Sequence, residues 1–387
     1  MKIILFDFAT LNFGGGCEKN FMKMGKWFKE RGHEVIFLTG SNRINNQYCS
    51  LVKIGKHKKN IDDFELKKKF GVDKYYTFDI RDLIFSTKNR INIRKILNKS
   101  DVIYSKNEIF EIIILGFIFR INPKKIIYGI HTPTYYPITR SFMSKSHNLL
   151  YNSRFYTWLI KKSKCRTLTQ YQKYLLEGFN KDINVMVIPN PLDTKKFYQK
   201  EYVKKNKFKI YYIGRMTEQK GIDTLYDTII LLSKKKIFNN LEFFFVGNGD
   251  QENLLIKLNK KFHNCHFLGF QSEVLKFYHD ADITIAPSRW EGMPYSILEA
   301  QSCGTPVVTT NSPGCKDIIF HNKNGWISEI DDVEEISRNI IKAYFLWKNN
   351  FEKFKKIGLF ARNNVVENYD EDFINKKIEE FMVRKNE

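Results

Sequence analysis

Two carboxylates eight residues apart, Glu291 and Glu299, frame the segment Pro287-Ser-Arg-Trp-Glu291-Gly292-Met293-Pro294-Tyr-Ser-Ile-Leu-Glu299-Ala. A buried strand over 283–286 delivers the chain into a turn, and Pro294 suits the first turn of a helix. Glu291 then lies in the turn, and Glu299 lies roughly two turns along. Carboxylates accept paired hydrogen bonds from vicinal hydroxyls, as on ribose or hexose. The Gly292 and Met293 N–H groups would point at an anion or a sugar hydroxyl. One capping Glu and one surface Glu account for the same residues equally well. A second group is Gly214-Arg215 followed by Lys220-Gly221. A strand end carrying Arg, with Lys at the mouth of the next helix, makes a receptor for a diphosphate. Two solvated loop charges remain an equal alternative. The GxxxxGK[ST] pattern of a phosphate loop is absent.

These loops need strands beneath them. The second half predicts strands at 208–213, 241–246, 265–268, 282–286 and 306–310, separated by helical segments, one starting near Lys220. The first half predicts strands at 2–8, 34–39, 101–105 and 125–130. It also predicts a helix over 18–31 with Phe21, Met24, Trp27 and Phe28 on one face. Residues 41–75 are polar and basic and resist placement. Strand–helix alternation implies parallel βαβ units. The expected fold class is therefore α/β, with two facing Rossmann-like, doubly wound parallel sheets. At about 150 residues per domain, 387 residues fit two or three domains. The break falls near Pro189-Asn190-Pro191, where two prolines forbid a central strand or a continuing helix. The expected division is 1–190, 191–365 and a closing helix over 366–387 packing back toward the N-terminal domain. Ligands of such sheets bind at the strand C-termini, here in the cleft between the domains.

Charge is unevenly spread. Lys and Arg outnumber Asp and Glu by 22, and residues 1–200 alone hold 37 basic and 16 acidic side chains. No acid occurs from 112 to 176, where eleven cations do. A source-wide bias toward lysine would affect both halves, so nucleic acid, an anionic membrane and a phosphorylated substrate are the open explanations. Six cysteines show no metal spacing and read as reduced, buried thiols of a cytosolic protein. The first residues read as a strand and not a signal peptide. The longest apolar run, 109–119, is interrupted by Glu111 and too short to span a membrane.

Glu291 and Glu299 with EGMP between them, followed by Ala300-Gln-Ser-Cys-Gly304-Thr-Pro306, resemble the retaining family 4 glycosyltransferases of the GT-B fold. Further pieces match in order. Gly15-Gly16-Cys17-Glu18 looks like the family's GGAE loop, and Arg31-Gly32-His33-Glu34-Val35 like its RGHEV strand entry. Val187-Ile188-Pro189-Asn190-Pro191-Leu192-Asp193 is similar to its VIPNGVD hinge, with Pro191 in place of Gly. Gly214-Arg215 to Lys220-Gly221, Val246 to Gly249, and Leu268-Gly269-Phe270 also match. The resemblance covers most of the chain, and 41–100 matches nothing diagnostic.

The resemblance implies that Arg215 and Lys220 hold the diphosphate of a nucleotide-sugar and steady the leaving charge. It gives Glu299 the ribose, and Glu291 with the Gly292 and Met293 amides the sugar. It brings the Gly15–Gly16 loop to the phosphates, His131 to the donor sugar, and Phe270 near the base. It makes Glu291, His131, Arg215 and Lys220 the catalytic set, with no metal and no further cofactor. A hexosyl unit would move with retained configuration to a glycan or polyprenyl-diphosphate-linked acceptor, in surface polysaccharide, lipopolysaccharide or lipid-linked oligosaccharide synthesis. The setting would be cytoplasmic, peripheral on the inner face of the cell membrane. There the acid-free stretch, with Tyr135, Tyr136, Phe142, Tyr151, Phe155, Tyr156 and Trp158 interleaved, would dock on anionic headgroups or on a polyprenyl-diphosphate-linked glycan; core packing is the alternative for much of that aromatic set.

Competing readings are a nucleotide-sugar epimerase or a phosphorylase on the same fold, a nicotinamide dehydrogenase and a nucleic-acid-binding protein. The Glu291–Glu299 segment speaks against the first two. No strand is followed by GxGxxG, and no RRM, KH or helix-turn-helix signature accompanies the charge.

Overall fold

The computed structural model describes residues 1–7, 16–40, 74–78, 86–106, 109–131 and 142–384. They fall into two compact units, one formed by 1–135, 145–188 and 375–387, the other by 136–144 and 189–374.

The first unit holds a parallel sheet of seven strands. They are β1 (Lys2–Asp7), β2 (Glu34–Gly40), β3 (Lys74–Phe78), β4 (Val102–Lys106), β5 (Ile126–Ile130), β6 (Lys164–Thr167) and β7 (Asn184–Val187), in the order β3-β2-β1-β4-β5-β6-β7. Ile4 of β1 lies between Ile36 of β2 and Ile103 of β4. All three are fully or almost fully buried. The inner strands read as nearly continuous apolar runs because helices cover both faces of the sheet. These are α1 (Gly16–Glu30), α2 (Thr87–Asn98), α3 (Ile109–Ile113), α4 (Phe142–Tyr151), α5 (Arg154–Ile160) and α6 (Gln170–Phe179). Side-chain caps start three of them: Ser86 accepts from the Asn89 N–H, Ser153 from Tyr156 and Thr169 from Gln172. A single π-helical turn, Ile114–Ile118, continues α3.

The second unit holds a parallel sheet of six: β8 (Phe208–Ile213), β9 (Leu241–Val246), β10 (Cys265–Gly269), β11 (Ile283–Ala286), β12 (Val307–Thr310) and β13 (Gly325–Ser328). The order is β10-β9-β8-β11-β12-β13, so chain direction across the sheet reverses between β8 and β11. Helices α7 (Ile222–Ser233), α8 (Glu252–Lys261), α9 (Leu275–Asp280), α10 (Tyr295–Ser302), α11 (Val333–Asn349) and α12 (Phe351–Tyr369) complete it. Pro294 is the N-cap of α10, one residue earlier than its sequence placement in the first turn. Burial pushes the Cys265, Cys303 and Cys315 thiols up to about 12, and raises Cys165 further, so these four free thiols are poor nucleophiles.

The last helix, α13 (Glu371–Val383), supplies residues to the first unit from Asn375 onward. Its Glu379 meets Arg31 Nε at 3.1 Å and His33 Nε2 at 2.6 Å. Lys164 of β6 is buried and donates to the carbonyls of Phe381 at 2.9 Å and Met382 at 3.1 Å. A lysine thus caps the C-terminal end of α13, where free carbonyls and the helix dipole both favour a cation. Burial and the nearby Arg384 charge lower its pKa. Lys164→Ala should strip the Phe381, Met382 and Arg384 carbonyls of a charged donor, a loss of about 1.5–3 kcal/mol. Hydrogen exchange should then accelerate across 375–383 while α7 and α8 keep their protection; unchanged exchange in α13 would remove Lys164 as its anchor.

Candidate functional site

The two loops singled out in the sequence leave neighbouring strands. Ile283 of β11 pairs with Ile210 of β8, and Thr284 with Tyr211. The Gly214–Gly221 loop follows β8 and the Pro287–Met293 loop follows β11, so both open at the switch point of the sheet, where open α/β sheets take their ligands. Close backbone packing sets the first loop. Gly214 N–H donates to Val246 O at 3.0 Å, Met216 N–H to Asn248 O at 2.8 Å and Gln251 N–H to Met216 O at 2.9 Å. Gly247 has φ +133°, and a Cβ there would stand 1.9 Å from Gly214 O. Gly221, with φ +66°, gives its 3-10 turn a left-handed exit that also starts α7. A Cβ on Gly221 would meet Pro287 O at 2.1 Å, so this glycine lets the two loops touch.

Lys220 Nζ donates to Glu291 Oε1, and Ser288 Oγ donates to the same oxygen at 3.0 Å. Glu291 is buried and Lys220 is half-buried. Both bonds fall on Oε1, so Oε2 has no partner among the described residues. The N–H groups of Gly292 and Met293 likewise find no acceptor among the described residues. Met293 is held from behind: its carbonyl accepts from Asn190 Nδ2 at 3.2 Å and its sulfur from the Asn190 N–H at 3.4 Å. Glu299 sits on α10, where Oε2 accepts from the buried Tyr278 hydroxyl at 2.7 Å. Burial first, and then the Glu299 charge, push the Tyr278 hydroxyl well up, which keeps it a donor. The Arg215 side chain is exposed and has no charged partner among the described residues, while its carbonyl accepts from Tyr212 Oη at 2.5 Å. Phe270 follows β10 with 70% of its surface exposed.

The remaining candidates lie in the first unit. Gly15 is outside the described residues, and Gly16 opens α1. His131 follows β5, with Nε2 at 3.2 Å from Tyr104 Oη, which accepts from Arg166 Nη1 at 2.9 Å. The fully buried Arg166 also donates to Ile188 O. A Cβ on Gly129 would come within 2.3 Å of Tyr104 Oη and 2.8 Å of His131 Nε2, so Gly129 makes room for this pair.

Residues 193–359, which carry Arg215, Lys220, Glu291 and Glu299, match the family model described as Glycosyl transferases group 1. The second unit thus carries a segment of this family. An uncharacterized glycosyltransferase of Haemophilus influenzae is 27% identical over 363 residues, covering 92% of this chain and 94% of the relative. The UDP-Gal:alpha-D-GlcNAc-diphosphoundecaprenol alpha-1,3-galactosyltransferase of Escherichia coli is 27% identical over 212 residues, covering 49% of this chain and 54% of that enzyme. Among solved structures, Alr3699/HepE of Anabaena in complex with UDP superposes with a TM-score of 0.75 at 17% identity, covering 99% of both chains. The chain therefore has the GT-B fold.

This glycosyltransferase also uses a residue that the sequence reading passed over. Arg289, 2% exposed, sends Nε to both Asp331 oxygens at 2.9 and 3.0 Å, Nη2 to Asp223 at 2.7 Å and Nη1 to Glu218 O at 2.7 Å. Its backbone N–H donates to Gln219 O at 2.9 Å, and Gln219 Nε2 returns a bond to Trp290 O at 3.0 Å. One guanidinium thus ties the Lys220 loop to the Glu291 loop. Burial works to raise the Asp223 carboxyl, but the Arg289 hydrogen bond and charge outweigh it and leave it below its ordinary value. Gly314 adds a second support that the sequence did not signal: a Cβ there would strike Gly292 O at 2.5 Å. Arg289→Leu should cost about 3 kcal/mol by stranding two carboxylates. Arg289→Lys should recover only part of that loss, since an ammonium lacks the planar fork. A urea midpoint at the wild-type value in the Leu variant would refute this role.

Proposed function

We propose that this glycosyltransferase moves a hexosyl unit from a nucleotide-diphosphate sugar, with retention of configuration, to a glycan or lipid-linked acceptor. The observation that carries the donor assignment is the Lys220–Glu291 pair at the switch point, beside two N–H groups and a carboxylate oxygen without partners among the described residues. In this reading the Gly292 and Met293 amides and Glu291 Oε2 hold sugar hydroxyls. Lys220 and the exposed Arg215 face the diphosphate, and Glu299 takes the ribose. As the glycosidic bond breaks, negative charge grows on the leaving phosphate, and fixed cations that face it lower the barrier. Lys220 suits this because Glu291 already holds its ammonium in place. Phe270 offers an exposed ring to the base.

From the first unit, His131 is proposed to serve the transferred sugar and the Gly15–Gly16 loop the phosphates and acceptor. Tyr104 and Arg166 fix the ring edge of His131. The two cations are proposed to do without a metal. The acceptor reading draws on the Escherichia coli relative, whose name gives it a diphosphoundecaprenol-linked sugar as acceptor, and on a Campylobacter jejuni relative that bears a diphospho-undecaprenol acceptor in its own name. A peripheral position on the inner face of the cell membrane follows from such an acceptor.

Release of nucleotide diphosphate across a panel of nucleotide-sugars, with and without EDTA, tests the reading. One donor should turn over, and chelation should not slow it. Arg215→Ala should keep the wild-type melting temperature, because its side chain is exposed, and lose at least about 100-fold in kcat/KM, the scale of one lost transition-state donor. Glu299→Gln should raise KM for the donor by about tenfold, the equivalent of one hydrogen bond to a charged group. Wild-type kinetics in both variants would overturn the donor assignment.

A further inference from the structure

The acid-free stretch of the first unit builds a surface with a consistent chemistry. Alpha-helix α3 and its π-helical turn hold Ile112, Ile114 and Leu115 in the core and leave Phe110, Ile113, Phe117 and Ile118 exposed. The one carboxylate of this segment, Glu111, is fully buried and accepts from Ser105 Oγ, so its charge is turned away from the surface. On α5, Phe155 and Trp158 are both more than half exposed and stack on each other with centroids 6.3 Å apart. The two segments border a common groove of about 260 Å³, lined by Ile112, Phe117, Tyr128 and Trp158, with Lys161 and Lys162 at its rim. Neither lysine has a charged partner among the described residues. Arg120 follows the π-helical turn in a left-handed conformation with φ +49°, and Arg154 begins α5; both are exposed. Four other cations of the stretch are engaged: Lys125 donates to the Asn98 and Ser100 carbonyls, Lys164 caps α13, Arg166 is buried and Lys173 pairs with Glu177.

We propose that this face docks on an anionic phospholipid bilayer, with Phe117 and Trp158 inserted at the headgroup level and Lys161 and Lys162 on lipid phosphates. The inference deepens the peripheral placement given under Proposed function and rests on it only for the acceptor. Aromatic rings flanked by unpaired lysines match an interface that is apolar below and negative above. No described helix is long and apolar enough to cross a membrane. A second copy of the chain would bring the same uncompensated cations face to face, which disfavours self-association through this patch. Aliphatic side chains such as Ile113 and Ile118 give nothing to a nucleic acid, whose bases are bound by stacking rings.

The test is co-sedimentation of the full chain with phosphatidylcholine vesicles and with vesicles containing phosphatidylglycerol, at low and high salt. Binding should need the anionic lipid and weaken with salt, as the screening length falls from about 10 Å at 0.1 M to about 3 Å at 1 M. Lys161→Glu with Lys162→Glu, and separately Phe117→Ser with Trp158→Ser, should each cut vesicle affinity at least about tenfold. Both pairs lie on the surface and should keep the wild-type melting temperature and release of nucleotide diphosphate. No binding to anionic vesicles, or equal binding by both double variants, overturns the proposal. So does a dimer that the apolar pair dissociates without changing vesicle binding, or retention on nucleic acid but not on vesicles. A chain that binds vesicles in this pattern yet consumes no nucleotide-sugar keeps the docking face and removes the donor reading.

Discussion

A single buried guanidinium governs the geometry of the candidate donor site. Arg289 belongs to one of two loops that leave adjacent parallel strands, and it bonds to the backbone of the other and to Asp223 and Asp331 beyond them. Without it, Asp223, Asp331 and the Glu218 carbonyl would lose their common donor. The loops approach so closely that only glycine fits at Gly221 and Gly314. The arrangement is over-determined, because the backbone contact needs the glycines and the charges hold the contact shut. That rigidity lets Lys220 and Glu291 keep one geometry in the absence of ligand, which is the condition for electrostatic preorganisation.

Under the proposed donor reading, the same placement would set up an exchange of partners. Glu291 is buried enough that its charge needs company, and Lys220 and Ser288 supply it through one oxygen. A diphosphate arriving at Lys220 would compete for the ammonium, and a sugar hydroxyl at Oε2 would offset what the carboxylate gives up. Charge is thereby conserved locally, and no ion is left alone in a poorly solvated place.

Much of this was legible in the residues because local pattern and tertiary role agreed. Strands β8, β9 and β11 are apolar runs closed by glycine or proline, and each lies where periodicity puts it. The two motif loops declared themselves by glycines at fixed offsets from cations and carboxylates. What stayed hidden depended on distant partners. Lys164-Cys165-Arg166-Thr167 reads as a polar connection, yet all four residues are buried, because Lys164 meets carbonyls more than 200 residues away and Arg166 meets Tyr104 and Ile188. Edge strands β7 and β13 are only four residues long and carry too little pattern to stand out. Arg289 carries no local signal because Asp223 and Asp331 lie 66 and 42 positions away. The aromatics at 151–158 divide between core and surface: Tyr156 is fully buried, while Phe155 and Trp158 are exposed. Alternation along so short a helix does not separate these roles.

The capping of α13 by Lys164 also orders events during synthesis. The first unit takes its final residues from 375 onward, after the whole second unit in the chain. On the ribosome, the seven-stranded sheet must therefore wait with its β6 lysine and the Arg31–His33 turn uncovered until residues beyond 374 have emerged. The second unit, formed by 136–144 and 189–374, has no such dependence on later residues. The domain translated first is thus the one completed last.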